Sequence, residues 1–208
     1  MSESISPALM ELRRATSSLH EQLENLLDIN REGAGRDEYL SYLEDMLGWL
    51  KAVEPALWNM PWPAVVAARE RAGKLERIEA DLRWSGMSSE EIHRLPVADF
   101  RPSFERAEAR YGIAYVVEGA QLGVRVLARR LAPALDGWEP VWLQGYGEQS
   151  SLRWKTFVAC AEAELQGAQA RQAAAEYARQ AFSSLLEWFT IRREARRNDM
   201  TMRPTAWR

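Results

Sequence analysis

Apolar residues recur at intervals of three and four along most of this chain, and this spacing constrains the fold more than any other feature. Near the N-terminus the series runs through Leu9, Leu12, Leu19, Leu23 and Leu26. Such intervals place side chains on one face of a helix, whereas a half-buried strand requires strict alternation of apolar and polar residues. Alternation extends over no more than a few residues anywhere in the sequence. The sequence therefore predicts an all-α protein.

Capping and helix-breaking residues divide the pattern into helices. Ser6 followed by Pro7 is typical of a helix start. A second helix is predicted to begin near Asp37 and to end at Pro55. Further helices are predicted over about residues 64–82, 103–131, from 149 onward and 169–197. The 208 residues suit one domain, and we expect about 198–208 to form a flexible C-terminal tail.

Charge and cysteine content exclude several classes of protein. The net charge of −3 gives no general attraction to nucleic acid or anionic lipid. The lone cysteine, Cys160, excludes an internal disulfide and a cysteine-based zinc site, and we interpret it as a small core residue in a reducing compartment. No signal-peptide pattern or membrane-spanning apolar run is present. We therefore expect a cytoplasmic protein without nucleic-acid or membrane partners.

Four arginines are clustered near the C-terminus, and we interpret them as a solvated helix end, where cations are favourable. They are Arg192, Arg193, Arg196 and Arg197.

One of the two histidines occupies a position where it is either a core residue or a ligand. His20 lies on the inner face of the first predicted helix, and Arg13 and Glu24 fall near the same face. It is interpreted either as a packed histidine with a hydrogen-bond partner or as a neutral imidazole that ligates a metal or haem iron. The second histidine, His93, belongs to a polar stretch and is expected to be exposed.

Two glycines interrupt the long predicted helix of residues 103–131. Gly119 and Gly123 are four residues apart and share a helix face, and each costs about 1 kcal/mol relative to alanine. Close packing of another helix would offset this cost. A flat ligand lying against bare backbone, on a helix able to bend there, would offset it equally well.

Three segments resemble one known family, in the right order and over nearly the whole chain. Residues 12–25, LRRATSSLHEQLEN, resemble the proximal-helix motif of haem oxygenases. Residues 115–123, YVVEGAQLG, are similar to the distal-helix motif in its bacterial form. Residues 146–157 resemble the segment that opens the next helix in that branch. The chain is thus similar to bacterial, biliverdin-producing haem oxygenases of the type associated with bacteriophytochromes.

The resemblance implies a single-domain helical bundle with haem between an N-terminal proximal helix and a glycine-containing distal helix. His20 would be the proximal iron ligand. Gly119 and Gly123, with Ala120 beside them, would lie over the distal face. The resemblance assigns the other haem-binding positions to Arg13, Lys155, Glu24 and Tyr115. Of these, Arg13 and Lys155 would meet the propionates, and Glu24 would support the proximal side.

The implied activity is oxidative cleavage of haem at a meso carbon to biliverdin, carbon monoxide and ferrous iron. Haem is then both cofactor and substrate, dioxygen is consumed, and an external donor, a ferredoxin or a reductase, supplies electrons. The physiological purpose would be chromophore supply, with a bacteriophytochrome as biliverdin acceptor, or release of iron.

Two departures from the family pattern leave other functions open. Ala120 replaces an aspartate found in many members, and Val124 replaces a second glycine. One alternative is a haem-binding protein of the same fold without turnover. Another is an all-α, thiamine-related hydrolase, which would need a nucleophilic cysteine.

Overall fold

The computed structural model describes residues 6–202, with side chains through residue 199. This part of the chain forms nine α-helices and no strand, as the apolar spacing predicted. They are α1 (Pro7–Leu26), α2 (Arg36–Asn59), α3 (Ala68–Arg71), α4 (Lys74–Trp84), α5 (Ser89–Arg94), α6 (Ala107–Leu131), α7 (Val141–Gln144), α8 (Ser150–Glu164) and α9 (Gly167–Met202). Within residues 6–202, no helix is both long and apolar enough to cross a membrane.

A local capping residue sets the start of α1, whereas packing in the core sets the end of α2. The side chain of Ser6 accepts a hydrogen bond from the backbone N–H of Leu9, so α1 begins where predicted. The prediction that Pro55 ends α2 is wrong, because the helix continues to Asn59. The residues beyond the proline include Leu57 and Trp58, both buried in the core, and their burial offsets the hydrogen bond that proline cannot donate.

Other boundaries differ from those predicted. The single helix expected over 64–82 is divided, because Ala67 (φ 52°) and Gly73 (φ 94°) adopt left-handed conformations before α3 and α4. At the C-terminus, α9 extends to Met202, five residues into the segment expected to be a flexible tail. Residues 203–208 lie outside the described residues.

The helix α9 supports both α1 and α6. Small residues allow α6 to approach it closely: a Cβ added at Gly112 would lie 2.2 Å from the carbonyl oxygen of Ala174. Along α1, Ala8 and Leu12 are buried in the same hydrophobic core. The helices α1 and α6 are each packed against α9, and a cavity lies between α1 and α6.

Three of the four C-terminal arginines are not solvated as predicted. Arg192 and Arg196 bind the carboxylate of Asp45, a buried residue of α2, with Nε of Arg192 3.0 Å from Oδ1. Arg193 pairs with Asp28 at 3.0 Å. These pairs fasten the C-terminal part of α9 to the α2 side of the fold, which keeps the cavity walls in place.

Candidate functional site

A cavity of about 530 Å³ lies between α1 and α6, at the predicted site. Residues of α1, α2, α6, α8 and α9 line it, and most of the lining is apolar. The apolar part includes Leu23, Tyr42, Met46, Val116, Leu122, Val124, Val126, Trp154, Phe182, Leu185 and Phe189. A predominantly apolar pocket of this size with few polar groups is typical of a small-molecule or cofactor site.

Seven of the eight predicted site residues line this one cavity. They are Arg13, His20, Glu24, Tyr115, Gly119, Ala120 and Gly123. Lys155 does not line the cavity: its side chain is exposed on α8, and its neighbour Trp154 reaches the cavity. Successive helical residues point about 100° apart, so Trp154 and Lys155 lie on different faces of α8.

His20 presents its imidazole to the cavity. The side chain is 59% exposed and its ring lies 5.7 Å from the ring of Phe182, so the packed-core interpretation is wrong. Nδ1 is 3.5 Å from Oε1 of Glu24. A carboxylate at that distance favours the proton on Nδ1, which leaves the lone pair of Nε2 available for a metal. No described residue hydrogen-bonds to Nε2 of His20.

Gly119 and Gly123 expose bare backbone to open space. A Cβ added at either position would meet no side chain and no other helix of the described residues within 4 Å. Close packing therefore does not explain this pair, in contrast to Gly112, which contacts α9. A ligand lying against α6 would use the space that these glycines leave.

This contrast predicts opposite effects of three alanine substitutions on the protein without ligand. Gly119→Ala and Gly123→Ala should each raise the free energy of unfolding by up to about 1 kcal/mol, because alanine favours the helix and meets no obstacle. Gly112→Ala should lower it by about 1–3 kcal/mol, because its methyl group overlaps the α9 backbone. Urea denaturation measures all three, and equal losses at all three positions would contradict this reading of the glycines.

Two apolar side chains in the cavity are left uncovered. Leu122 is 40% and Val126 is 64% exposed, and both line the cavity. Exposed apolar surface inside a concave site is typical of a place that an apolar ligand covers.

The charged groups of the cavity are few, and one of them was not predicted. The α6 wall has Ala120 where many family members have an aspartate, and no Asp or Glu of α6 lines the cavity among the described residues. Val124 is buried and packs toward Gly145. Arg130, near the end of α6, also lines the cavity. No sequence pattern pointed to Arg130, because it lies outside the motif.

The opposite face of α6 is anchored by a buried ionic cluster that sequence reasoning also missed. Glu118 binds Arg71, lies 3.0 Å from Nζ of Lys74 and accepts a 2.8 Å hydrogen bond from the hydroxyl of Tyr146. Burial and the neighbouring carboxylate raise the pKa of Tyr146 far above its ordinary value, so the hydroxyl stays protonated and donates. Because Glu118 immediately precedes Gly119, the cluster fixes the part of α6 that carries the glycines.

Comparison with known proteins identifies the family. The family model described as Heme oxygenase matches residues 6–191. The chain belongs to the haem oxygenase family. Among solved structures it is similar to the NO- and CO-bound heme oxygenase from Neisseria meningitidis, with a TM-score of 0.70 and 21% identity over 90% of this chain and 94% of that chain. No curated protein shows significant sequence similarity to it.

The residues that line the cavity fit haem, the group that the family binds. A planar, mostly apolar ring would cover Leu122 and Val126 and lie against the bare backbone of Gly119 and Gly123. The imidazole of His20 provides a nitrogen ligand from α1. The cavity of this haem oxygenase family member is therefore suited to haem by shape and by chemistry.

Proposed function

We propose that this protein is an active haem oxygenase that cleaves haem at a meso carbon to biliverdin, carbon monoxide and ferrous iron. The observation that carries the proposal is the presence of His20 and the open glycines, Gly119 and Gly123, on different walls of one cavity. One wall supplies an iron ligand, and the other leaves room for a diatomic molecule.

The residues of the cavity have separable roles. Bound haem supplies both the iron that reduces dioxygen and the ring that is oxidised. His20 would hold the iron through Nε2, while Glu24 keeps the proton on Nδ1. Gly119 and Gly123 offer space and backbone groups, and no side chain of theirs intercepts an oxidant. Ala120 provides no carboxylate, so protons would reach the site through backbone groups and solvent.

Arg13 would bind the propionates. It lines the cavity two turns before His20, about 10 Å along the axis of α1. Neither a hydrogen bond nor an ion pair joins its guanidinium to another described residue, so the group is free to meet a carboxylate. A charge-assisted bond of this kind contributes about 1.5–3 kcal/mol, which suffices to orient the ring within the pocket.

The reaction also requires partners. We infer an external electron donor, a ferredoxin or a reductase, and a cytoplasmic location. The single cysteine, Cys160, is buried, which suits a reducing compartment. The physiological purpose is either to supply biliverdin to a bacteriophytochrome or to release iron. The bacterial form of the 115–123 motif favours biliverdin supply.

The two alternative functions make different predictions for the same site. A haem-binding protein without turnover is favoured only by Ala120 and Val124. A thiamine-related hydrolase would need a reactive thiol, whereas burial raises the pKa of the Cys160 thiol and suppresses its thiolate. The structure gives this hydrolase no nucleophilic cysteine.

An ascorbate assay tests the proposal. The purified protein is loaded with one equivalent of ferric haem and then given ascorbate in air. We expect the Soret band to disappear, with release of carbon monoxide and ferrous iron and with biliverdin in the extract. A stable Soret band in a stoichiometric haem complex would instead indicate binding without turnover, and failure to bind haem would overturn the proposal altogether.

A bulky side chain at a distal glycine should remove activity without unfolding the protein. Gly123→Leu fills the space over the ring, so turnover should fall by about tenfold or more, or haem should be displaced. The unliganded variant should unfold at the same urea concentration as the wild type or a higher one. Arg125→Leu is the matched control, because Arg125 is exposed on α6 and does not line the cavity. Normal turnover in Gly123→Leu would show that the distal assignment is wrong.

A further inference from the structure

A second pocket lies next to the buried ionic cluster that holds Glu118. It measures about 380 Å³ and is bordered by α4, α7, the loop that follows α7 and the first turn of α8. No Asp or Glu within residues 6–199 lines it. The polar side chains that line it are Arg77, Gln144, Tyr146, Gln149 and Arg153. Two guanidinium groups without a carboxylate in the same pocket favour a small anion as its ligand.

Three cations surround the ring of Tyr146, which forms one wall of this pocket. The Cζ atoms of Arg153 and Arg77 lie 4.7 Å and 5.9 Å from the ring centroid. Nζ of Lys74 lies 5.3 Å from it. Like charges so close together are unfavourable unless each has an anionic partner. The partners of these cations therefore decide whether the pocket needs an anion.

The buried ionic cluster is balanced within itself. Its two cations are Arg71 and Lys74, and both bind the carboxylate of Glu118. A second carboxylate, that of Glu54, lies 3.8 Å from Nζ of Lys74. Two positive and two negative charges leave no excess charge in the cluster, so any excess must come from the two arginines that line the pocket.

Only one of those two arginines has a carboxylate partner. Nη2 of Arg153 lies 2.6 Å from Oε2 of Glu70. Arg77 instead donates from Nη1 to the carbonyl oxygen of Gly145, and its Nε and Nη2 donate to no atom of the described residues. Arg77 thus brings one uncompensated positive charge to the pocket. Nε and Nη2 form the edge of a guanidinium group that binds two oxygens of one anion.

We propose that this pocket is a binding site for a phosphate group, either free phosphate or a small phosphate ester. Two phosphate oxygens accept hydrogen bonds from Nε and Nη2 of Arg77. The amides of Gln144 and Gln149 supply further donors, and a phosphate has more acceptor oxygens to offer them than a carboxylate has. Because the hydroxyl of Tyr146 donates to Glu118, the bound anion also stabilises the anchor of α6.

Isothermal titration calorimetry with inorganic phosphate tests the proposal on the protein without haem, at low ionic strength. The wild type should bind one phosphate per chain. Arg77→Met should weaken binding by about tenfold or more, because it removes a charge-assisted, bidentate contact. Arg77→Lys keeps the charge without the fork and should weaken binding less. Adenosine monophosphate replaces phosphate in a second titration, and tighter binding of this ester would identify a phosphate ester as the ligand.

Arg83→Met is the matched control, because Arg83 is exposed on α4, pairs with Glu79 at 2.7 Å and does not line the pocket. It should bind phosphate as the wild type does. Phosphate should also raise the urea midpoint of the wild type above that in chloride of equal ionic strength, and it should not do so in Arg77→Met. Should that variant not fold, the loss of affinity in Arg77→Lys decides. A wild type that binds neither phosphate nor the ester would overturn the proposal, as would unchanged affinity in the Arg77 variants.

Discussion

His20→Ala should lower haem turnover by at least about a hundredfold. Substitutions of residues that only orient a metal ligand typically cost 10–100-fold, and this one removes the ligand itself. The apolar walls of the cavity should still retain haem, so the complex should form with an altered spectrum. Stopped-flow absorption of the Soret band during ascorbate reduction measures the loss.

Two controls make this result specific to the imidazole. Added imidazole should restore part of the wild-type spectrum, because the cavity left by the side chain can accept the free ring. His93→Ala changes an exposed histidine of α5 that does not line the cavity, and it should leave turnover unchanged. Wild-type spectra and turnover in His20→Ala would show that another residue binds the iron.

Glu118→Gln should lower the free energy of unfolding by about 3–5 kcal/mol. The substitution removes the carboxylate shared by Arg71 and Lys74, both almost fully buried, and an unpaired buried charge is strongly destabilising. Tyr146 would also lose a charged acceptor. Urea denaturation of the unliganded protein, followed by circular dichroism, measures the loss.

An exposed ion pair provides the comparison. Glu176 pairs with Arg179 at 2.6 Å, with both side chains about half exposed, and Glu176→Gln should cost less than about 1 kcal/mol. A loss in Glu118→Gln no larger than that of Glu176→Gln would mean that the buried cluster does not stabilise the fold.

Sequence patterns predicted the parts of the site that follow from helix periodicity. His20, Arg13 and Glu24 come together because they are spaced by whole turns on one helix. The mid-helix position of Gly119 and Gly123 required a compensating interaction, and the structure excludes close packing as that interaction. Trp154 lines the cavity and Lys155 does not, a distinction that a motif match leaves open because neighbouring helical residues point in different directions.

The remaining features depend on contacts between residues distant in the sequence. Arg71 and Glu118 are 47 residues apart, and Arg196 and Asp45 are 151 apart. The sequence contains many charged residues, and no local pattern shows which of them pair with each other in the fold. Pro55 was read as a helix end because local propensity ignores the burial of Leu57 beyond it. The hydrogen bond that Nη2 of Arg130 donates to Oδ1 of Asn30 similarly depends on how α1 and α6 are arranged around α9.

Hydrogen–deuterium exchange of the protein with and without one equivalent of haem tests most directly whether the cavity between α1 and α6 is the haem site. Protection should increase in peptides covering about residues 13–30 and 115–130, with a smaller increase around 182–189 of α9, because these segments line the cavity. Peptides of α5, including His93, should exchange equally in both states. Protection centred on α5, or absent from the α6 glycines, would contradict this placement of haem.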